Sequence, residues 1–306
     1  MLQKTIERTV HCSGIGLHSG QKVHMELHPA PVDQGIVFVV KTAQGKKVIH
    51  PGPEDIYDTS FATTIVQNGC ELKTVEHLLA AIRGMELDNL IIEVDGNEVP
   101  IMDGSAASYV ILINQAGISE QSRAKKYLSL KSEFFLQENG KWIKAYPANS
   151  FSVNFSIDFP HPLLGDQKYY FDLSKQNFTA SLSKARTFGF LSDVEKLQNH
   201  GLIQGGSLEN AVVLDESGVV NPEGLRFEDE PIRHKVLDFL GDMGLMQHQI
   251  LGHFDVHCSG HALNATFLRI LQWLEAGVRR LLHCVGKDNE KVLGKDVRGV
   301  PVEATA

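Results

Sequence analysis

Cysteine is scarce in this chain, and its spacing excludes several kinds of site. The 306 residues include four cysteines, Cys12, Cys70, Cys258 and Cys284, and no two of them form a C-x-x-C pair. This excludes a zinc ribbon and a thioredoxin-like redox motif. A chain of this length can bury a sizeable core without disulfides or structural metal ions. We therefore expect free thiols, and we expect any metal ion to serve chemistry.

Long apolar runs and an excess of basic residues are also missing. No uninterrupted apolar stretch approaches the roughly 20 residues that a membrane-spanning helix needs, and the N-terminus lacks the apolar core of a secretory signal. With 29 Lys and Arg against 37 Asp and Glu, the net charge is −8, which argues against nucleic-acid binding. These absences predict a soluble, cytoplasmic protein with no nucleic-acid partner and no membrane span.

Two familiar motifs are incomplete. The glycine-rich stretch 14–20 lacks the Walker lysine and does not open a helix, so a tight turn between strands is favoured over phosphate binding. The H-E-x-x-H motif of zinc peptidases is absent, and Glu76 and His77 stand in the reversed order, which counts against a peptidase of that class.

Hydrophobic periodicity predicts a mixed α and β protein. Strands are predicted over 5–12, 22–28, 35–41, 89–95, 127–136, 141–145, 151–159 and 249–257, and helices over 74–84, 191–200, 231–244 and 261–282, with another ending at about 116. Residues 161–168 are predicted to form a loop, and Thr74 is predicted to cap the helix at 74–84. The polar stretch 119–126 predicts a first domain at 1–124, a second at 125–286 and a polar tail at 287–306.

The two halves of the chain share a layout. A histidine is followed seven residues later by a glycine at His77 and Gly84, and again at His234 and Gly241. In each half a strand and a second glycine motif come next, GSA in the first half and GHA in the second. We infer a diverged duplication, in which two similar α/β domains face each other and build one site between them; chance similarity is the alternative.

The second histidine of this repeat belongs to the pattern H-x-x-x-D. His234 and Asp238 are at i and i+4 of a predicted helix, so both project from one face, and Asp242 continues the same stripe. A hydrolytic zinc site uses three protein ligands and leaves one position open. The alternative is an exposed polar face with a structural hydrogen bond.

Three further residues complete a hydrolytic set. His77 is a candidate third ligand, and the neighbouring Glu76 is a candidate general base. His261 follows a glycine at a strand-to-helix junction, where an imidazole can donate a proton to a leaving amine if an acidic partner such as Asp242 keeps it protonated. The alternatives are a surface glutamate beside a half-buried histidine, and a helix-capping histidine.

Seven segments together resemble one enzyme family, the UDP-3-O-acyl-N-acetylglucosamine deacetylases of lipid A biosynthesis. The resemblance runs from about residue 3 to about residue 285, in the same order. The segments are GIGLHSG at 14–20, TVEHLLAA at 74–81, PIMDGSA at 100–106, ARTFGF at 185–190, GGSLENA at 205–211, GLRFEDEPIRHKVLDFLGD at 224–242 and SGHALN at 259–264. The resemblance implies an α+β fold of two similar two-layer α/β domains, packed helix layer to helix layer, with the site at their junction.

The resemblance also implies a role for each member of the set. A zinc ion is expected at His77, His234 and Asp238, although two histidines and a carboxylate also suit Fe(II). The catalytic residues are expected to be Glu76 as general base, His261 as general acid, Asp242 as its partner and Thr187 as the donor that stabilises the oxyanion. The expected reaction is hydrolysis of the N-acetyl amide of a UDP-linked acylated amino sugar by a monomer.

For the substrate, the family implies contacts on both sides of the sugar. Lys235 and Lys141 are expected near the anionic moiety, Phe159, Phe190 and Asp193 along the UDP, and Phe188 against the glucosamine. The segment 191–211 is expected to shelter the acyl chain, whose burial contributes roughly 0.8 kcal/mol per CH₂. Cys258 departs from the family, in which a basic residue is common at that position, and the preceding His257 is a partial substitute.

Two other functions remain open from the residues alone. One is another metal-dependent amidase. The other is a UDP-sugar-binding protein with a vestigial metal site, although the presence of every expected ligand and catalytic residue argues against it. Turnover after zinc is added distinguishes an enzyme from a binding protein.

Overall fold

Two β-sheets contain most of the strands. The computed structural model describes residues 1–161 and 164–285, with 275–285 as helical backbone only; the predicted tail at 287–306 lies outside the described residues. The strands are β1 (Leu2–Ile6), β2 (Val10–Ile15), β3 (Lys22–Pro29), β4 (Ile36–Thr42), β5 (Gly45–Ile49), β6 (Ile56–Asp58), β7 (Thr64–Gln67), β8 (Cys70–Leu72), β9 (Leu90–Val94), β10 (Ile118–Ala124), β11 (Tyr127–Ser129), β12 (Phe134–Glu138), β13 (Lys141–Tyr146), β14 (Phe151–Phe159), β15 (Gly165–Asp172), β16 (Phe188–Phe190), β17 (Val212–Leu214) and β18 (Gln249–His257). The helices are α1 (Glu76–Gly84), α2 (Ala107–Ala116), α3 (Lys175–Asn177), α4 (Leu191–Asn199), α5 (Glu230–Met243) and α6 (His261–Val285).

The two large sheets repeat one topology. The first has the strand order β2-β3-β9-β4-β5, and the second has the order β12-β13-β18-β14-β15, with β11 also paired to β18. The central strand β9 runs antiparallel to β3 and parallel to β4, just as β18 runs antiparallel to β13 and parallel to β14. Each central strand lies between two helices in the sequence. The predicted fold class, α+β with two similar two-layer units that each combine a mostly antiparallel sheet with helices, is confirmed.

The predicted domain boundary falls between two strands. Residues Met1–Arg269 form one compact unit, which ends within α6. Within this unit, β1 pairs antiparallel with β10, which joins the two ends of the segment 1–124. The division at 124 stays a prediction. In the part of the chain that the structure describes, no helix is both long enough and apolar enough to cross a membrane.

Two predicted strands are wrong in their bounds because neighbouring stretches pair with different strands, and one predicted loop is too long. The predicted strand 5–12 is β1 followed by β2, since β1 pairs with β10 whereas β2 pairs with β3. The predicted strand 127–136 is β11 followed by β12, which pair with β18 and β13. The predicted loop 161–168 includes the start of β15, which pairs with β14 as far as Phe159. A change of partner leaves the local alternation of residues intact.

The glycine-rich stretch 14–20 is a turn between β2 and β3, as predicted. Its backbone is held by the buried carboxylate of Glu98, which accepts hydrogen bonds from the N–H groups of His18 and Ser19 at 2.8 and 2.9 Å. The same carboxylate accepts a hydrogen bond from the hydroxyl of Thr74 at 3.1 Å. Thr74 therefore does not cap α1, which begins at Glu76 without a side-chain cap; the prediction of a threonine cap is wrong.

The helices α1 and α5 pack directly against each other. Every residue of α1 is buried, from Glu76 to Gly84. A Cβ atom placed on Gly241 of α5 would collide with the backbone carbonyl of Glu76, so only glycine allows this approach. The contact places Glu76, at the start of α1, against the last turn of α5.

Candidate active site and metal centre

Two histidines and an aspartate meet where α1 packs against α5. His77 comes from the first turn of α1, whereas His234 and Asp238 lie one turn apart on α5 and project from one face. At most 4% of each residue is exposed. The Nε2 atoms of His234 and His77 lie 3.2 and 3.6 Å from Oδ1 of Asp238. The three ligand atoms lie within 4.8 Å of one another.

The geometry of these three side chains suits a shared metal ion better than it suits direct hydrogen bonds between them. A tetrahedral zinc ion with ligand bonds of about 2.0–2.1 Å holds its ligand atoms about 3.3 Å apart, close to the separations found here. Nδ1 of His234 lies 3.0 Å from the carbonyl oxygen of Ala185, which favours the tautomer that leaves Nε2 free for a metal ion. Among the described residues, the buried Oδ1 of Asp238 has no hydrogen-bond donor, and a cation would satisfy it.

Lys235 fixes the charge state of the aspartate. Its Nζ donates to Oδ2 of Asp238 at 2.6 Å, which leaves Oδ1 for the metal centre. Burial alone would raise the pKa of Asp238, but His234 and Lys235 hold this pKa well below its usual range. Burial alone would lower the pKa of Lys235, and the pairing with Asp238 raises it. The pair is therefore ionised, carboxylate and ammonium together.

His261 stands at the first residue of α6 with a carboxylate beside it. Its Nδ1 donates to Oδ2 of Asp242 at 2.8 Å, and Asp242 is buried. Burial alone would lower the pKa of His261, but the ion pair and hydrogen bond with Asp242 raise it to about 9. Asn264 also donates to Oδ2 of Asp242 at 2.7 Å and is itself held by the hydroxyl of Ser259. The imidazole is thus protonated at neutral pH, with Nδ1 occupied and Nε2–H available.

Glu76 is buried beside the candidate metal centre. Only 3% of it is exposed, and burial raises the pKa of its carboxyl group, while the charges of His261 and His77 act in the opposite direction. The backbone N–H of Thr63 donates to its Oε2 at 3.1 Å. This contact holds the carboxylate in place and leaves Oε1 for another partner.

Thr63 connects the base side and the acid side of the site, and the sequence analysis missed it. Besides its backbone contact with Glu76, its hydroxyl donates to Oδ1 of Asp242 at 2.6 Å and lies 3.1 Å from Nδ1 of His261. The residue is 1% exposed and directly precedes β7. No motif or periodicity in the sequence marks a threonine in a loop for this position.

Thr187 is connected to the candidate metal centre through the backbone. It stands two residues after Ala185, whose carbonyl oxygen lies 3.0 Å from Nδ1 of His234. Its backbone is fixed by two hydrogen bonds of 2.8 Å, to Gly104 and from Val212. The intervening Arg186, which the sequence analysis also missed, is 2% exposed and pairs at 2.9 Å with Glu230 at the start of α5. The oxyanion role of Thr187 stays a prediction.

Three predicted substrate-binding aromatics form one cluster. The ring centroid of Phe159 lies 5.9 Å from that of Phe188 and 6.2 Å from that of Phe190. The three rings pack on the buried core made by Leu164, Val212 and Leu214. Phe188 also lies edge-on to His234, with centroids 6.5 Å apart, so the cluster borders the metal centre.

The remaining predicted contacts lie at the surface. Lys141 begins β13, opposite Glu138 of β12, and is exposed. Asp193 lies in the first turn of α4 and pairs with Lys196 at 3.6 Å. Among the described residues, no hydrogen bond or ion pair joins Lys141 or Asp193 to the metal-centre histidines. Their substrate contacts stay predictions.

The segment 191–211 presents apolar side chains to solvent. Leu191 is 48% exposed and Leu208 is 39% exposed, and no residue of α4 is buried. The segment is attached to the glycine-rich turn, because Gln204 and Gly205 donate backbone hydrogen bonds to the carbonyl groups of residues 18 and 17 at 3.2 and 3.0 Å. Exposed leucines on an anchored segment are compatible with the expected role in sheltering an acyl chain.

Imidazole and carboxylate groups converge on one buried point, with a second carboxylate and a protonated imidazole close by. Together with the repeated α/β fold, this is the arrangement of a metal-dependent hydrolase. A family model described as UDP-3-O-acyl N-acetylglycosamine deacetylase matches residues 3–272. The chain belongs to this family, and the resemblance found in the sequence is confirmed.

Curated relatives support the same assignment over nearly the whole chain. A UDP-3-O-acyl-N-acetylglucosamine deacetylase from Oleidesulfovibrio alaskensis is 48% identical over 305 residues, covering 99% of this chain and 100% of the relative. One from Nitratidesulfovibrio vulgaris is 53% identical over 272 residues, 89% of this chain and 88% of the relative. Another from Nitratiruptor is 46% identical over 264 residues, 86% of this chain and 88% of the relative.

Proposed function

We propose that this chain is a zinc-dependent deacetylase. It hydrolyses the N-acetyl amide of UDP-3-O-(3-hydroxyacyl)-N-acetylglucosamine and releases acetate and the free amine, in an early step of lipid A biosynthesis. The observation that carries the proposal is the convergence of His77, His234 and Asp238 on one buried point, flanked by Glu76 and His261. The family and the names of the relatives support this substrate class.

The three ligands would hold a zinc ion with one coordination position open. When bound, zinc acidifies water and polarises an amide carbonyl. Two neutral imidazoles and one carboxylate give the donor set. Lys235 keeps Asp238 ionised and occupies the oxygen that does not face the histidines. Fe(II) would suit the same donors.

Glu76 takes the proton of the attacking water. Its Oε2 is held by the N–H of Thr63, so Oε1 is the oxygen that accepts the proton. Burial has already raised the pKa of this carboxyl group, which makes it a better base than an exposed glutamate at neutral pH. The water oxygen bonds to the acetyl carbon, and Thr187 donates a hydrogen bond to the carbonyl oxygen as negative charge develops there.

His261 completes the reaction by protonating the leaving nitrogen. Its Nδ1–H is held by Asp242, so Nε2–H delivers the proton as the C–N bond breaks. Without this proton the sugar amine is a poor leaving group. The acetic acid formed loses its proton to become acetate. His261 regains a proton as Glu76 releases the one it gained, so both groups return to their starting states.

The substrate is recognised by groups on either side of this centre. Phe188 packs against the glucosamine, Phe159, Phe190 and Asp193 line the UDP, and Lys235 and Lys141 face its charges. The apolar segment 191–211 covers the acyl chain. The position after His257 is commonly basic in the family, and His257 takes the place of that basic residue. The proposal includes a monomeric, cytoplasmic enzyme.

The substitution Glu76→Gln tests the assignment of the base. It keeps the size of the side chain but removes its ability to accept a proton, so the rate of amine release should fall about 10²–10⁴-fold. Metal content, measured by elemental analysis, should equal that of the wild type. His77→Ala is the matched comparison and should lose metal and activity together. A Glu76→Gln protein that keeps its turnover would refute the role of Glu76.

A further inference from the structure

A second group of potential metal ligands lies on β3, away from the catalytic centre. The alternate residues Val23, Met25 and Leu27 are buried in the core, with 3%, 0% and 0% exposed. The residues that alternate with them, His24, Glu26 and His28, therefore project from the other face of the first sheet. Glu93 of β9 stands directly opposite Glu26 and adds a carboxylate from the neighbouring strand.

The distances within this group match those of the catalytic centre. Nε2 of His24 lies 3.4 Å from one carboxylate oxygen of Glu26, and Nε2 of His28 lies 3.5 Å from the other. Nε2 of His28 also lies 3.8 Å from Glu93. These separations exceed ordinary hydrogen bonds and resemble the 3.2 and 3.6 Å between the catalytic histidines and Asp238. Ligands of one tetrahedral zinc ion lie about 3.3 Å apart.

Both imidazoles are oriented through their other nitrogen. Nδ1 of His24 lies 3.0 Å from the hydroxyl of Ser13, and Nδ1 of His28 lies 3.1 Å from the hydroxyl of Thr9. A partner on Nδ1 fixes the ring and directs Nε2 toward the carboxylates, as in established histidine–metal sites.

The local charges allow a divalent ion to enter. Glu93 now pairs with Lys41 at 3.6 Å and with Lys46. The side chain of Lys46 is 61% exposed, so its ammonium can return to water when a cation takes its place. The carboxylates of Glu26 and Glu93 then balance the charge of the ion, and the imidazoles favour a transition metal over Mg²⁺ or Ca²⁺.

We propose that Glu26, His28 and Glu93 form a second metal site, with His24 beside Glu26, and that the site takes a divalent transition-metal ion such as Zn²⁺. Among the described residues, only Glu26, His28 and Glu93 and the catalytic group bring three ligand atoms within 4.8 Å of one another.

The second sheet provides an internal control with the same spacing. On β18, His253, Asp255 and His257 also alternate along one strand. However, Asp255 stands opposite Lys144 and Asn154 on the neighbouring strands, so no second carboxylate joins it there. The ring of His257 also stacks on Trp142, with centroids 5.7 Å apart. The spacing alone therefore does not assemble a site, and His253→Ala is a matched control.

Metal binding by the full-length, untagged holoenzyme tests the proposal. Protein already loaded with one zinc ion is dialysed against micromolar zinc, and the bound metal is counted by elemental analysis. The wild type and His253→Ala should take up a second ion. His28→Ala and Glu26→Gln should bind it about tenfold more weakly or worse, since even the loss of an orienting partner costs that much. Both should keep the first ion and the wild-type deacetylase rate.

Two results would overturn the proposal. One is a wild-type holoenzyme that takes up no second ion. The other is a second ion that binds with unchanged affinity to either His28→Ala or Glu26→Gln, because such an ion sits elsewhere on the protein. Circular dichroism of each variant establishes that the sheet is intact when the counts are compared.

Discussion

The hydroxyl of one residue, Thr63, joins two parts of the site that lie far apart in the sequence. It donates to Asp242 and lies beside Nδ1 of His261, while its backbone holds Glu76. Asp242 thus has three partners, because Asn264 donates to it as well. A buried carboxylate with this many donors is fixed in position, and so is the imidazole it pairs with.

The substitution Thr63→Val should lower kcat and leave KM nearly unchanged. It removes the hydroxyl but keeps the shape and the backbone contact with Glu76. Loss of a hydrogen bond to a buried charged group costs about 1.5–3 kcal/mol, or about ten- to a hundredfold in rate if the loss is felt in the transition state. Steady-state kinetics check this, and Thr63→Ser should recover most of the rate. A serine variant as slow as the valine variant would contradict the role of the hydroxyl.

The pH profile tests the pairing of His261 with Asp242. The pair raises the pKa of His261 from its ordinary 6.5 to about 9, and a general acid works only while protonated. Activity should therefore fall as the pH rises through about 9. In Asp242→Asn the raised pKa is lost, so this descending limb should move to lower pH and the rate at neutral pH should fall. An unshifted limb would show that another group is the acid.

At the scale of elements, the site depends on how closely α1 and α5 approach. Glu76 and His77 lie on α1, and His234 and Asp238 lie on α5. Gly241 lets the backbones meet, because any side chain there would strike the carbonyl of Glu76. The distance between the helices therefore sets the distance between the ligands.

The substitution Gly241→Ala should weaken metal binding as well as stability. The added methyl group forces α1 and α5 apart, and overpacking of this kind costs about 1–3 kcal/mol. Urea unfolding of the metal-free protein and zinc affinity measure the two effects separately. Gly96→Ala is the control, since a Cβ there meets only Val23 at 3.8 Å. If Gly241→Ala bound zinc like the wild type, the helix approach would not position the ligands.

The elements that the sequence predicted well are those whose pattern is local. The strands 22–28 and 249–257 and the helix 231–244 were found within a residue or so, because alternation or helical periodicity runs along their whole length. The predicted strand 5–12 failed because β1 and β2 differ in partner and not in pattern. Partner choice depends on the topology, which local periodicity does not contain.

At the scale of the whole molecule, the repeat seen in the sequence corresponds to a repeat of topology. The central strands β9 and β18 each run antiparallel to one neighbour and parallel to the other, and the histidine-bearing helices α1 and α5 precede them. The candidate site residues could be named from motifs because each motif contains its own chemistry. Thr63 and Arg186 could not, because their roles come from contacts with residues 179 and 44 positions away.

The proposed metal centre needs ligands from both halves of the chain in one place, so it depends on residues, elements and the whole fold together. The measurement that tests it most directly is amine release from UDP-3-O-acyl-N-acetylglucosamine during zinc titration of chelated protein. The His28→Ala variant is used so that each added ion is counted at the catalytic centre. We expect no activity without metal, and a linear rise that ends at about one zinc ion per chain. Amine release by protein shown to be metal-free, or none by folded protein loaded with one zinc ion, would contradict the account.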